Sequence, residues 1–68
     1  MDTEPIVNIK ITENAAGERL DIYAAEVLEQ IPSRKAAYKA VKRGDIRICG
    51  ERKLPNYKLQ LGDRLELL

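Results

Sequence analysis

The densest chemistry in this chain lies in Pro32-Ser33-Arg34-Lys35-Ala36-Ala37-Tyr38-Lys39-Ala40-Val41-Lys42-Arg43-Gly44, with five cations, one aromatic ring and no acid. Cations at this density bind anions, and phosphate above all. Acid–base or nucleophilic chemistry has little to work with. The chain contains no histidine and one cysteine, Cys49, so neither a proton-relay constellation nor a zinc ligand set can be assembled, and no intramolecular disulfide can form. The sequence therefore predicts no catalytic residue, no metal ligand, no cofactor and no small-molecule substrate.

The cations need an element to hold them. Pro32 ends whatever precedes it, Ser33 can accept a backbone N–H as a helix cap, and Gly44 can adopt the left-handed conformation that closes a helix. At roughly 100° per residue, Ala36, Ala37, Ala40 and Val41 fall on one side and Lys35, Tyr38, Lys39, Lys42 and Arg43 on the other. A charged face is ordinarily just solvated. A solvated face usually intersperses acids at i,i+4, however, and none occurs here. Lys42 and Arg43 suit a helix C-terminus, but Arg34 and Lys35 oppose the dipole at the other end. They make sense if an anion docks there, where free N–H groups already favour phosphate.

Charge is divided along the chain. Residues 1–32 carry two bases against seven acids, a net of −5, whereas residues 33–68 carry ten bases against four acids, a net of +6. The overall balance of +1 argues against coating nucleic acid non-specifically and permits a local site. With 68 residues the chain makes one small domain that buries about 60% of its unfolded surface. No 18-residue apolar run and no basic-then-apolar leader pattern occurs, so a cytoplasmic protein without membrane contact is expected.

Ile6 to Thr12 alternates, with Val7, Ile9 and Ile11 on one face, and predicts an edge or accessory strand. Glu13 to Gly17 predicts a turn. From Glu18 to Ile31 the residues Leu20, Tyr23, Ala24, Val27, Leu28 and Ile31 form a helical stripe whose outer side is acidic. Asp21 suits the first turn and can pair with Arg19 or with a base of the second helix. After that helix, Asp45 to Leu54 predicts a strand with Ile46 and Ile48 inward and a turn at Gly50, the start of a hairpin. Cys-Gly is a weaker turn signal than Asn-Gly, and Cys49 is expected on a β surface. Tyr57 to Leu61 alternates again, Gly62-Asp63 predicts a tight turn, and Leu65 and Leu67 point inward from a last strand. The fold class is α+β. Arg19 and Asp21 are expected to be structural, and so are the turn formers Gly44, Gly50 and Gly62.

Five elements in order, Arg19-Leu20-Asp21, Ser33-Arg34, Lys42-Arg43-Gly44, Ile46-Arg47-Ile48-Cys49-Gly50 and Gly62-Asp63-Arg64-Leu65, resemble the S-four RNA-binding domain, named for the fourth protein of the small ribosomal subunit. The resemblance spans residues 17–67. It implies two packed helices on a small, bent antiparallel sheet, here with an extra N-terminal strand, so that 1–16 is an accessory strand and turn and 17–68 the core motif of a single domain. It further implies that structured RNA, ribosomal above all, meets the second helix and the hairpin after it. On this basis Ser33, Arg34, Lys35, Lys39 and Arg43 on the helix and Arg47, Arg52 and Lys53 on the hairpin are contact candidates, with Tyr38 and Lys42 beside them on the basic face. Cys49 departs from the family, which has Asn at that turn. Recognition mostly through shape and backbone suits a patch poor in aromatics.

Many domains of this type precede a catalytic domain, notably in the pseudouridine synthases that modify large-subunit ribosomal RNA. The strand before Gly17-Glu18-Arg19-Leu20-Asp21 resembles the arrangement in those enzymes. The expectation is thus a module, not itself an enzyme, that targets a covalently linked synthase domain. Two alternatives stand beside it: a small ribosome-associated protein of the heat-shock type, and a protein-interaction module using the acidic helix or the sheet edge.

Overall fold

The computed structural model describes residues 5–68; the first four residues of the expected accessory segment lie outside them. Five elements follow one another: β1 (Val7–Lys10), α1 (Leu20–Val27), α2 (Arg34–Arg43), β2 (Ile46–Ile48) and β3 (Arg64–Leu67). The three strands form one antiparallel sheet in the order β1-β3-β2. The last strand is therefore the central one. Leu65 pairs with Ile9 on one side and Ile48 on the other, and Leu67 with Val7 and Ile46. This register turns the apolar members of all three strands to the same face, because side chains on paired positions share a face.

α1 packs on α2, and α2 packs on β2. Between helices and sheet lies one core in which Ile11, Leu20, Ala24, Ala37, Ile46 and Leu65 are almost wholly removed from water. Truncating a leucine such as Leu65 to alanine costs about 2–5 kcal/mol at a site of this kind. Ala37, Ala40 and Val41 form the buried stripe of α2, as its periodicity predicts. Ser33 and Gly44 bound the helix as predicted: the Ser33 hydroxyl accepts from the Ala36 amide at 3.1 Å, and Gly44 has φ 88°.

Five expectations need correction. The first helix ends at Val27, because Leu28 turns extended; Leu28 and Ile31 still reach the core from a short turn closed by the Ile31 amide on the Leu28 carbonyl. Pro32 disfavours the helical conformation for Ile31. Val27, predicted on the inward stripe, is exposed. The hairpin after β2 consists of a single bridge, Ile48 to Glu51, and 52–54 run on as loop. Tyr57 to Leu61 is not a strand. Its amides and carbonyls pair with the distant segment 17–20 (Gly17 on Leu59, Leu59 on Glu18, Leu20 on Tyr57), Leu59 is buried, and Leu61 is exposed in the following turn. Cys49, expected on a β surface, occupies a two-residue turn with φ 52°, followed by Gly50 at φ 80°.

Asp21 is the one buried charged residue among those described, at 5% exposure. It is matched by Arg19, whose Nε and Nη2 donate to its two carboxylate oxygens at 3.1 and 3.0 Å. A side-by-side pair of this kind is the strong form of a charge-assisted hydrogen bond. Asp21 pairs with Arg19 rather than with a base of α2.

Candidate nucleic-acid interface

The basic face of α2 is turned to solvent. Arg34, Lys35, Tyr38, Lys39, Lys42 and Arg43 are all exposed, and so is Ser33. The alanine stripe dictates this, since burying Ala37, Ala40 and Val41 leaves the intervening positions no other direction.

The predicted cations differ in what they already touch. Arg34, Lys35 and Lys39 make no ion pair and no side-chain hydrogen bond with the described residues. The Lys42 ammonium stands 5.9 Å from the centre of the Tyr38 ring. Arg43 pairs with Asp45 at 2.9 Å, but both are exposed, and such pairs contribute about 0–1 kcal/mol.

The candidates beyond the helix turn back towards its end. Arg47 donates from Nε to the Gly44 carbonyl at 2.8 Å, and Arg52 from Nη2 to the Lys42 carbonyl at 2.6 Å. Both satisfy acceptors at the negative end of the α2 dipole, where cations are favoured. Lys53 lies 3.4 Å from Glu51 and 5.1 Å from the centre of the Tyr57 ring. The ten predicted residues thus fall into a set on the helix, of which Arg34, Lys35 and Lys39 have no polar side-chain partner among the described residues, and a set, Arg47, Arg52 and Lys53, that is partly engaged in holding the following segment. An arginine carries five N–H donors, so one bond to a carbonyl leaves most of its capacity available.

Shallow grooves flank the basic face of α2, two of them at its junction with residues 52–56. One is bounded by Val41, Lys42, Arg52, Lys53 and Leu54, a second by Arg19, Tyr38, Lys42, Leu54, Pro55 and Asn56, and a third by Tyr38, Lys39, Lys42 and Arg43. Lys42 borders all three. No carboxylate lines any of them, so the local field is positive although the chain is nearly neutral. Among the described residues no cluster of three or more His, Cys, Asp or Glu could hold a metal ion.

Sequence reasoning did not place Leu54, taken as the end of the Asp45 to Leu54 strand stretch, or Asn56 beside the basic face, and it assigned Arg19 to structure alone. Arg19 does hold Asp21, yet it also borders the second groove. The available signal was a large apolar residue between the charged run Glu51-Arg52-Lys53, which breaks the alternation of Ile46 and Ile48, and Pro55; Leu54 is 66% exposed.

Comparison with known proteins is consistent in direction. No family model and no solved structure matches the chain. Among curated proteins it is similar to ribosomal large subunit pseudouridine synthase C of Buchnera aphidicola, 34% identical over 65 residues, which covers 96% of this chain and 20% of that protein. The protein of the same name from Haemophilus influenzae is 35% identical over 65 residues, covering 88% and 20%. That from Escherichia coli is 29% identical over 66 residues, covering 97% and 20%. The chain spans about a fifth of the length of these relatives, in their N-terminal region.

Proposed function

As an S-four-like domain of the kind found at the front of ribosomal large subunit pseudouridine synthases, the chain is, we propose, the RNA-docking module of such an enzyme. It binds structured ribosomal RNA through α2 and the segment 47–53 and holds a linked synthase domain to its substrate. The chain corresponds to the non-catalytic front fifth of those enzymes, so the chemistry belongs to the rest of the protein. The observation that carries this reading is the face of Arg34, Lys35 and Lys39: exposed, acid-free and unpaired among the described residues. Unrelieved repulsion on one helix face is tolerable when phosphates neutralise it. Among the described residues no helix is long and apolar enough to cross a membrane. A cytoplasmic setting follows from the ribosomal partner proposed.

The ten candidates take distinct parts. Arg34, Lys35 and Lys39, with the Ser33 end of the helix, contact backbone phosphates. Lys42 and Arg43 extend the track, Tyr38 lies within it, and Arg47, Arg52 and Lys53 flank it from the adjoining turn. Titration of the chain with large-subunit ribosomal RNA fragments and with matched duplex DNA, at several salt concentrations, tests the assignment. Binding should favour RNA and weaken steeply with salt. Arg34→Ala and Lys39→Ala should each weaken binding to all the RNA fragments and lower the salt slope by about one unit. If both variants bind as the parent does, with the same slope, the α2 face is not the interface. Indifference to charge reversal on α2 would instead favour a protein partner.

A further inference from the structure

We infer that Tyr38 and Leu54 line a cleft that takes one unpaired nucleobase of the bound RNA, an inference that rests on the docking proposed above. Both side chains are large, apolar and exposed, at 46% and 66%, in the middle of an otherwise charged surface. Neither belongs to the hydrophobic core. They border one groove together with Arg19, Lys42 and Asn56.

That set matches the parts of a nucleotide. A base has flat apolar faces, which an aromatic ring or an aliphatic side chain can cover, and a polar edge, which an amide can meet with both donors and an acceptor. Its phosphate is an anion. Arg19 is held in place by its two bonds to buried Asp21, so its remaining donors are pre-oriented beside the groove. Asn56 supplies the amide. The Lys42 ammonium is 5.9 Å from the Tyr38 ring centre, near the outer limit of a cation–π contact, so an arriving base displaces little when the ammonium swings to a phosphate. A continuous duplex, whose base faces are stacked away, cannot use an aromatic ring in this position. The partner favoured is therefore structured RNA with a bulged or junction nucleotide.

The test uses the 68-residue chain and two RNA hairpins of equal length, one with a single unpaired 2-aminopurine and one with the same base paired. The bulged hairpin should bind on the order of tenfold more tightly, as expected for one base–aromatic stack, and its 2-aminopurine emission should fall on binding. Tyr38→Leu should abolish both the preference and the quenching, so that the variant binds the two hairpins alike. Tyr38→Phe should keep both. Position 38 is exposed on α2 and leucine is a good helix former, so the fold should survive the change. Equal, salt-dependent binding of the two hairpins by the parent chain, or a preference that persists in Tyr38→Leu, overturns the cleft while the docking stands. Failure to bind either hairpin overturns the docking and the cleft with it.

Discussion

Replacing Cys49 by asparagine should make this domain more stable, although it deletes no unfavourable contact. Cys49 and Gly50 are the two central residues of the turn after β2, with φ 52° and 80°. The turn is closed on both sides, the Ile48 amide on the Glu51 carbonyl and the Glu51 amide on the Ile48 carbonyl, each at 2.9 Å. A third bond, from the Cys49 amide to the Arg64 carbonyl at 2.8 Å, ties it to β3. The left-handed conformation is thus imposed by three backbone hydrogen bonds. For most L-residues it costs about 1–2 kcal/mol, from which asparagine largely escapes by local hydrogen bonding.

Because Cys49 is exposed, burial does not enter the comparison. Cys49→Asn should therefore gain about 1 kcal/mol, a rise of about 4–8 °C in Tm for a domain of this size. Cys49→Gly relieves the same strain but loosens the unfolded chain by about 0.4–1 kcal/mol, so it should fall within about 0.5 kcal/mol of the parent. Cys49→Val adds a β-branch at positive φ and should cost more than about 1 kcal/mol. Urea unfolding followed by circular dichroism, with an unchanged m-value as the check on two-state behaviour, gives the order. A valine variant as stable as the asparagine one would refute the left-handed assignment, and with it the physical account of this turn.

Gly44 combines positive φ with a close neighbour: a Cβ there would stand 2.8 Å from Arg52 Nε and 3.1 Å from its Cδ. Gly44→Ala should cost about 2 kcal/mol, roughly half from the backbone and half from dislodging the Arg52 bond to the Lys42 carbonyl, and in an Arg52→Ala background only the first part should remain in urea melts. The Tyr57 hydroxyl donates to Asp63 Oδ2 at 2.7 Å, and this bond, with some help from burial, raises its pKa to about 12. A phenol that holds its proton more tightly when folded contributes stability that is intact below pH 10 and is lost as the pH rises from 10 towards 12. Absorbance at 295 nm should show a late-ionising tyrosine that Tyr57→Phe removes, and the same variant should flatten the alkaline decline in stability; an unchanged titration would place the proton elsewhere.

Much of this protein follows from local pattern. The bounds of α2, its buried alanine stripe and its basic face depend on φ preferences at Ser33 and Gly44 and on a 3.6-residue period, all carried by neighbours in the chain. The alternations at 7–10, 46–48 and 64–67 likewise became strands with the expected faces inward. Tertiary structure decided what local pattern cannot contain. The alternation of Tyr57 to Leu61 matches that of β3, yet only β3 found strands on both sides; the other segment is spent closing the loop over 17–20. The stripe of α1 outran the helix because Leu28 and Ile31 reach the core just as well from a turn before Pro32. Which cations remain free was also settled by contact at a distance in sequence. Arg52 comes to the end of α2 ten residues back, whereas the side chains of Arg34, Lys35 and Lys39 have no ion-pair or hydrogen-bond partner among the described residues. Composition determines how much positive charge this chain carries, and packing determines how much of it is left to bind a partner.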